Sequence, residues 1–411
     1  MKMRDITKEI GAATVDCHEL SSLLWIFFGC SMNISKSEIT FSKPGAPSLL
    51  QIVFSKKHSL KSVLCSPELS NKDIEQIKQK INDELLDQSQ ISIGREVLFS
   101  SFPVNGFFKF KNEMQILPVP TDAPKDVFLR MEHPFLLEFE YVASKDHWIN
   151  SYRRNQKATR NSTVLALFLE GGIIKRESRA HGHWVLMPNA ATGKQEYKIL
   201  PEGYGYDGFK VVDTSFSRTD EFSPLTEIPD EEYYSRGRML NTKPMEIPVS
   251  LSNLISKFWQ LPIQRREQFF RAAYWYKQAH NLYLTSKSSS YLAAVMAIET
   301  LVEVEKNSAK CPTCNKPEGK GPTKKFREFL EKYAPFISSS ENDQQIRAQL
   351  YELRSKLAHG GQIFLEDAGS SSVTMASTQA TDELQKMERI FRFTRIALVN
   401  WLESHPSVET D

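Results

Sequence analysis

Between Gln349 and Gly361 the chain reads Gln-Leu-Tyr-Glu-Leu-Arg-Ser-Lys-Leu-Ala-His-Gly-Gly. Leu350, Leu353 and Leu357 recur at helical spacing and form an apolar stripe. Gly360-Gly361 then stops the helix, because glycine takes the left-handed conformation that a helix C-terminus calls for. Arg354 is thereby set one turn inside the helix and His359 at its C-terminal edge. Five residues separate the two by about 140° in azimuth and ~7.5 Å along the axis. They are too far apart for one tight pair, yet both can reach a shared cleft beside the helix. The negative end of the helix dipole favours a protonated imidazole at His359. An arginine for phosphate and a protonatable histidine at one helix end suit cleavage of a phosphodiester. The same spacing also fits a helix whose last turn carries Arg and His only to complement its dipole, and the pattern alone is common by chance.

Length and composition bound what surrounds this helix. At 411 residues the chain has room for two or three domains with proper cores. Hydrophobic residues at 40% and charged residues at 25% describe an ordinary soluble globular protein. A net charge of +2 gives no strong overall attraction to nucleic acid, so any RNA contact has to be local. Five cysteines (Cys17, Cys30, Cys65, Cys311 and Cys314) form no disulfide framework, which points to a reducing cytoplasm. The opening Met-Lys-Met-Arg-Asp-Ile-Thr-Lys-Glu-Ile lacks the apolar core of a signal peptide. The most apolar run, Leu23 to Cys30, is far short of the ~20 residues that cross a bilayer, so no membrane partner is expected.

Along the chain, residues 1–125 read as mixed α/β. Strands are expected at Ile39–Phe41, Leu49–Phe54, Ile91–Phe99 and Gly106–Lys111, and Leu23–Cys30 as a buried strand or short core helix. Ile74, Ile77, Ile81 and Leu85 make one stripe of an amphipathic helix over 71–86, with Ser70 or Asn71 to cap it. Residues 126–214 read as β-rich and as one sensor unit with the first region. There Leu137, Phe139 and Tyr141 alternate with Glu138 and Glu140, as in a half-exposed strand; Thr163–Leu169 is apolar, and further strands follow at His183–Met187 and Gln195–Leu200. Residues 215–261, rich in Asp, Glu, Ser and Pro, read as a connector. Residues 262–405 read as all-helical, with helices near 265–283, 288–305, 321–333, 342–359 and 381–401. In the last of these, Leu384, Met387, Ile390, Phe391 and Ile396 are expected to face inward. The fold class is α+β, a β-rich N-terminal region followed by a C-terminal helical bundle.

The order of pieces in about the last 140–150 residues carries a resemblance. Ser290–Glu303, a cysteine-bearing insert, the Arg354 helix and a final long helix follow one another. Ala297-Ile-Glu-Thr-Leu301 and Leu353-Arg-Ser-Lys-Leu-Ala-His-Gly360 stand within them. This arrangement resembles the HEPN superfamily and its Apea-like branch. The resemblance implies a dimerising helical bundle over 262–405. In nucleolytic members the R-x4–6-H pairs of two protomers meet in one metal-independent ribonuclease site, and Arg354 and His359 match that motif. Glu299 matches the acidic residue that often stands beside it. Many active members carry Asn, Asp or His directly after the arginine, and here that position is Ser355.

Other motifs are weaker. Cys311-Pro-Thr-Cys314 is half of a zinc knuckle, and a structural zinc would need two further ligands from another protomer or a distant Cys or His; two free thiols in a loop fit equally. The insert around it is basic, and Lys320, Lys324 and Lys325 could follow a phosphate backbone or simply form a solvated face. Tyr152–Arg160 is a second basic stretch that reads better as a solvent-facing helix or loop. His181-Gly-His183 lacks an acidic or Cys partner. No P-loop, GxGxxG, GxSxG or HExxH stands at a credible position.

The resemblance implies an endoribonuclease of antiviral defence that needs no cofactor. Arg354 would hold the phosphate, His359 would serve as general acid or base, and Glu299 would orient either of them. Ser355, Lys356, Lys320, Lys324 and Lys325 would contact RNA. The partners expected are RNA, a second copy of the chain and a phage-derived trigger sensed by the N-terminal half. The other reading of the same residues is a HEPN dimerisation scaffold without catalysis.

Overall fold

The computed structural model describes residues 3–29, 32–42, 48–55, 59–121, 123, 133–169, 182–188, 192, 195–201, 210–235, 243–283, 285–302, 321–335, 343–369 and 377–406. In chain order the elements are β1 (Arg4–Asp5), α1 (Cys17–Phe27), β2 (Met32–Ile34), β3 (Glu38–Phe41), β4 (Leu50–Phe54), β5 (Leu60–Cys65), α2 (Asn71–Lys80), β6 (Ile91–Ser100), β7 (Phe108–Phe110), β8 (Met114–Pro118) and β9 (His133–Val142). They continue with α3 (His147–Phe168), β10 (Gly182–Pro188), β11 (Gln195–Pro201), β12 (Val212–Asp213), β13 (Thr226–Ile228), α4 (Asp230–Ser235), β14 (Glu246–Pro248) and α5 (Leu251–Gln260). Five helices complete the chain: α6 (Ile263–Leu282), α7 (Lys287–Leu301), α8 (Pro322–Tyr333), α9 (Asp343–Ala358) and α10 (Thr378–Ser404). The fold is α+β, with antiparallel sheets in the N-terminal region and helices from α5 onward. Two compact units divide the chain. One comprises Met1–Arg95, Phe139–Ala158 and Lys210–Phe216; the other comprises Glu96–Glu138, Thr159–Phe209 and Ser217–Asp411.

The first unit is built on a five-stranded sheet of order β1-β5-β4-β3-β2, in register Ile39↔Ile52 and Ile52↔Val63, with an irregularity at Val53/Phe54. Phe41, Leu50, Ile52 and Val63 from this sheet are buried with Leu20, Leu23 and Leu24 of α1. The apolar run at Leu23 is therefore core helix, not strand, and the Asp16 carboxylate caps it by accepting from His18 N and Glu19 N. The amphipathic stripe over 71–86 forms as read. Ser70 and Asp73 make a capping box, α2 passes into a π-helical turn at Ile81–Leu86, and Ile74, Ile77, Ile81 and Leu85 are all buried. Gly94 on β6 is required by packing, since a Cβ there would stand 2.6 Å from the Phe139 ring.

Three readings of the sequence are corrected. The region 126–214 contains a helix of 22 residues, α3, and the basic stretch Tyr152–Arg160 lies within it. Arg153 is not a free cation: it holds both oxygens of Glu19 at 2.8 and 2.7 Å, each side chain only 11% exposed. Arg160 pairs with Glu267 at 2.9 Å. The alternation places Glu138 toward solvent, but it is fully buried, accepting from Gln115 Nε2 at 2.6 Å, Ser217 N at 2.8 Å and Ser217 Oγ at 2.6 Å. The stretch 215–261, expected as a connector, carries the parallel pair β13–β14 and the helices α4 and α5, the latter burying Leu251, Leu254, Ile255 and Phe258. The remaining sheets have the orders β12-β6-β9-β8-β7 and β10-β11, the latter an antiparallel pair at the positions read as strands.

In the second unit α10 packs against α4, α5, α6, α7 and α8, and α9 packs against α7 and α8. Alanines at 272, 273 and 279 of α6 and at 293, 294 and 297 of α7 are buried, and such small side chains let the two helices run close together. Of the α10 positions expected inward, Met387, Ile390 and Phe391 are buried and Ile396 is half-buried. Leu384 is 48% exposed, because this turn of α10 directs Glu383 inward instead, where it is buried and accepts from Leu365 N. Arg395 is buried and serves two elements at once. Its Nε and Nη2 donate to Leu167 O and Phe168 O at the end of α3 at 3.2 and 3.0 Å, and its guanidinium lies 4.6 and 4.8 Å from the Tyr233 and Tyr234 rings of α4. Arg395→Ala should strip two buried carbonyls of their donor and lower unfolding free energy by about 2–4 kcal/mol in urea titrations. Arg395→Lys should restore less than half of that, since an ammonium cannot reproduce the planar fork.

Candidate functional site

Helix α9 buries Leu350, Leu353 and Leu357, the stripe read from its sequence, and Tyr351 beside them. It ends as the two glycines require. Gly360 has φ +72°, Gly361 N donates back to Lys356 O at 2.9 Å and His359 N to Ser355 O at 3.1 Å, a Schellman termination. Helix α7 lies against α9 through the wholly buried Tyr291, whose hydroxyl donates to Leu350 O at 2.8 Å. Burial pushes that hydroxyl well above the ordinary phenol range, so it remains a donor.

Glu299, in the last turn of α7, meets α9 from this position. Its Oε2 accepts from Arg354 Nη2 at 3.2 Å and its Oε1 accepts from the Tyr351 hydroxyl at 3.1 Å. Glu299 and Arg354 are 28% and 27% exposed, so the ion pair is open to solvent along one edge. This is Arg354's one hydrogen bond among the described residues, which leaves its other N–H groups for an incoming acceptor. The Tyr351 ring lies 5.7 Å from the guanidinium carbon and 5.0 Å from the Phe326 ring of α8. Burial raises the Tyr351 hydroxyl above its ordinary pKa, the charge and hydrogen bond of Glu299 raise it further, and Arg354 opposes them.

The other residues singled out by sequence are distributed around this pair. His359 is exposed just past the end of α9, and Ser355 is half-buried one turn before it. Lys356 is exposed and bound to Glu352 at 2.8 Å, and the hydrogen bond and charge of Lys356 hold the Glu352 carboxyl below its usual value. Lys324 is exposed and Lys325 half-buried on α8, the helix whose Phe326 touches Tyr351. Lys320, Cys311 and Cys314 lie outside the described residues. Among the described residues, no group of three or more His, Cys, Asp or Glu is placed to hold a metal, and no helix is long and apolar enough to cross a membrane.

Two contributors escaped the sequence reading. Tyr351 stands three residues before Arg354, and that spacing on one helix face was the available signal. Asp367 gave none. It follows the exposed end of α9 and accepts from Lys287 N at 2.9 Å, Ser288 N at 2.7 Å and Ser286 Oγ at 3.1 Å, filling the N-terminus of α7. Phe364 N donates to Ser288 Oγ and Leu365 N to the buried Glu383, so the segment after His359 is strapped to α7 and α10. No protein-family model, curated protein or solved structure matches the chain.

Burial acts to raise the Asp367 carboxyl, but the hydrogen bonds from Ser288, Lys287 and Ser286 outweigh it and hold it below the ordinary value. A depressed folded-state pKa stabilises the fold above the unfolded value, about 3.9 for aspartate, and the contribution is lost as pH falls through the folded value. Asp367→Ala should therefore cost about 1–2 kcal/mol at pH 7 and accelerate amide exchange in the first turn of α7. The difference from wild type should shrink as pH falls below the ordinary aspartate range.

Proposed function

We propose that the chain is a metal-independent endoribonuclease of the HEPN type, acting in antiviral defence, with its N-terminal half as sensor or restraint. The observation that carries this reading is the Arg354–Glu299 pair. It joins two residues 55 positions apart, both singled out by the resemblance, and leaves an arginine edge open to solvent on the helix that ends just before His359. In this reading the 2′-oxygen of RNA attacks the adjacent phosphorus. The bond from phosphorus to the 5′-oxygen breaks, and the products are a 2′,3′-cyclic phosphate and a 5′-hydroxyl. Arg354 binds the non-bridging oxygens and stabilises their growing charge. His359, brought beside a second copy by a two-fold axis, takes the proton from the 2′-hydroxyl or supplies one to the leaving oxygen. Ser355, Lys356, Lys324, Lys325 and Lys320 track the flanking phosphates. RNA, a second copy and a phage-derived trigger are the partners, in the cytoplasm, and any zinc at Cys311 and Cys314 is structural.

One observation favours the second reading, a dimerising scaffold without catalysis: Glu299 and Glu352 already balance the charges of Arg354 and Lys356 in the isolated chain. Incubation of purified protein with total RNA in EDTA, with mapping of fragment ends, separates the two. Wild type, tried alone and with phage-infected lysate, should yield cyclic-phosphate ends. Arg354→Ala should lower the rate by ~10²–10³ and His359→Ala by ~10²–10⁴, both remaining folded dimers. Equal cleavage by wild type and His359→Ala would remove His359 from the site, and absence of cleavage by wild type under both conditions would favour the scaffold.

A further inference from the structure

We infer that Tyr351 is a positioning residue of the Arg354 site: its hydroxyl fixes the Glu299 carboxylate so that the opposite oxygen orients the Arg354 guanidinium. The inference rests on the ribonuclease reading above. The two oxygens of Glu299 are divided between two donors of one helix, Tyr351 at 3.1 Å and Arg354 at 3.2 Å. Glu299 reaches α9 on a side chain with three torsions, and a carboxylate still 28% exposed would swing if one oxygen alone were held. Tyr351 is suited to hold it because its own ring cannot move freely. The ring is buried and packed on Phe326 at 5.0 Å. The same ring flanks the guanidinium at 5.7 Å, within cation–π range, so Tyr351 contacts both members of the pair it aligns. The i, i+3 spacing of Tyr351 and Arg354 builds this alignment into α9 itself. The phenol stays protonated at neutral pH, as its raised pKa requires, and is a permanent donor to Glu299.

An oriented guanidinium matters most where charge develops on the phosphorane oxygens, whereas attraction of a phosphate to a positive charge survives misalignment. Loss of the hydroxyl should accordingly lower kcat and spare KM. The test follows initial rates on a fluorophore-labelled single-stranded RNA of mixed sequence for wild type, Tyr351→Phe, Glu299→Gln and the double variant. Tyr351→Phe keeps the ring and should lose roughly five- to thirtyfold in kcat with KM within about twofold. The double variant should be no slower than Glu299→Gln, because both changes break one chain of contacts. Wild-type rates for Tyr351→Phe, or losses that multiply in the double variant, would overturn the inference. A second readout does not need catalysis. In protein labelled with 13C at tyrosine Cζ, the resonance absent from Tyr351→Phe should titrate at lower pH in Glu299→Gln than in wild type. An active wild type whose Tyr351 titration is unmoved by Glu299→Gln overturns the positioning role alone. A wild type that cuts no RNA overturns the ribonuclease reading and the catalytic weight of Tyr351 with it, and a shifted titration then leaves only the structural contact standing.

Discussion

A guanidinium removed from water has to find acceptors for its N–H groups, and the helical part of this protein is arranged around meeting that requirement at Arg395. The acceptors are the last carbonyls of α3, which have no partner within their own helix. The same solution recurs at α8 and α6. Arg347, also buried, donates to Ala334 O beyond α8; Asn400 donates to Tyr333 O; Ser290 donates to Ala279 O on α6. Polar side chains on α7, α9 and α10 thus complete the backbone hydrogen bonding of neighbours while apolar residues fill the space between. Each such contact is directional, so the helices are fixed in rotation as well as in distance.

The Arg354 site uses the opposite balance. It is held from below by buried contacts, Tyr291 to Leu350 and Tyr351 to Phe326, but its charged groups sit at the rim. A fully buried Arg–Glu pair would carry a heavy desolvation cost and offer nothing to a ligand. At roughly a quarter exposed, the pair keeps its geometry and retains an open edge. The strap formed by Phe364, Leu365 and Asp367 anchors the chain on the far side of His359, so the helix end is fixed by contacts outside the helix.

Much of this was legible in the amino-acid order where one period dominated. The stripes of α2 and α9 and the glycine stop after His359 could be read because the burial they express is local. Helix α3 was legible only as a helix or loop over Tyr152–Arg160, since its first half is polar and its arginines find their partners at Glu19 and Glu267, far away in sequence. Glu138 failed for the same reason: alternation placed it outward, and the donors that make its burial tolerable, Gln115 and Ser217, lie 23 and 79 residues away. Within the site, the meeting of Glu299 with Arg354 came from resemblance, not from any periodicity. Asp367 had no local signal because a cap supplied from another segment leaves no trace in the sequence of the helix it caps.

The pairing of Arg354 with Glu299 also determines how this corner of the surface responds to ionic strength. An isolated cation attracts a polyanion over a Debye length, an attraction that added salt steadily weakens. A cation already matched by a carboxylate 3.2 Å away projects little net field, so it contributes short-range geometry and almost no steering. Lys356 is muted in the same way by Glu352. Long-range attraction toward α9 is left to charges such as exposed Lys324 on the adjoining α8, and distant attraction and local alignment are carried by different helices.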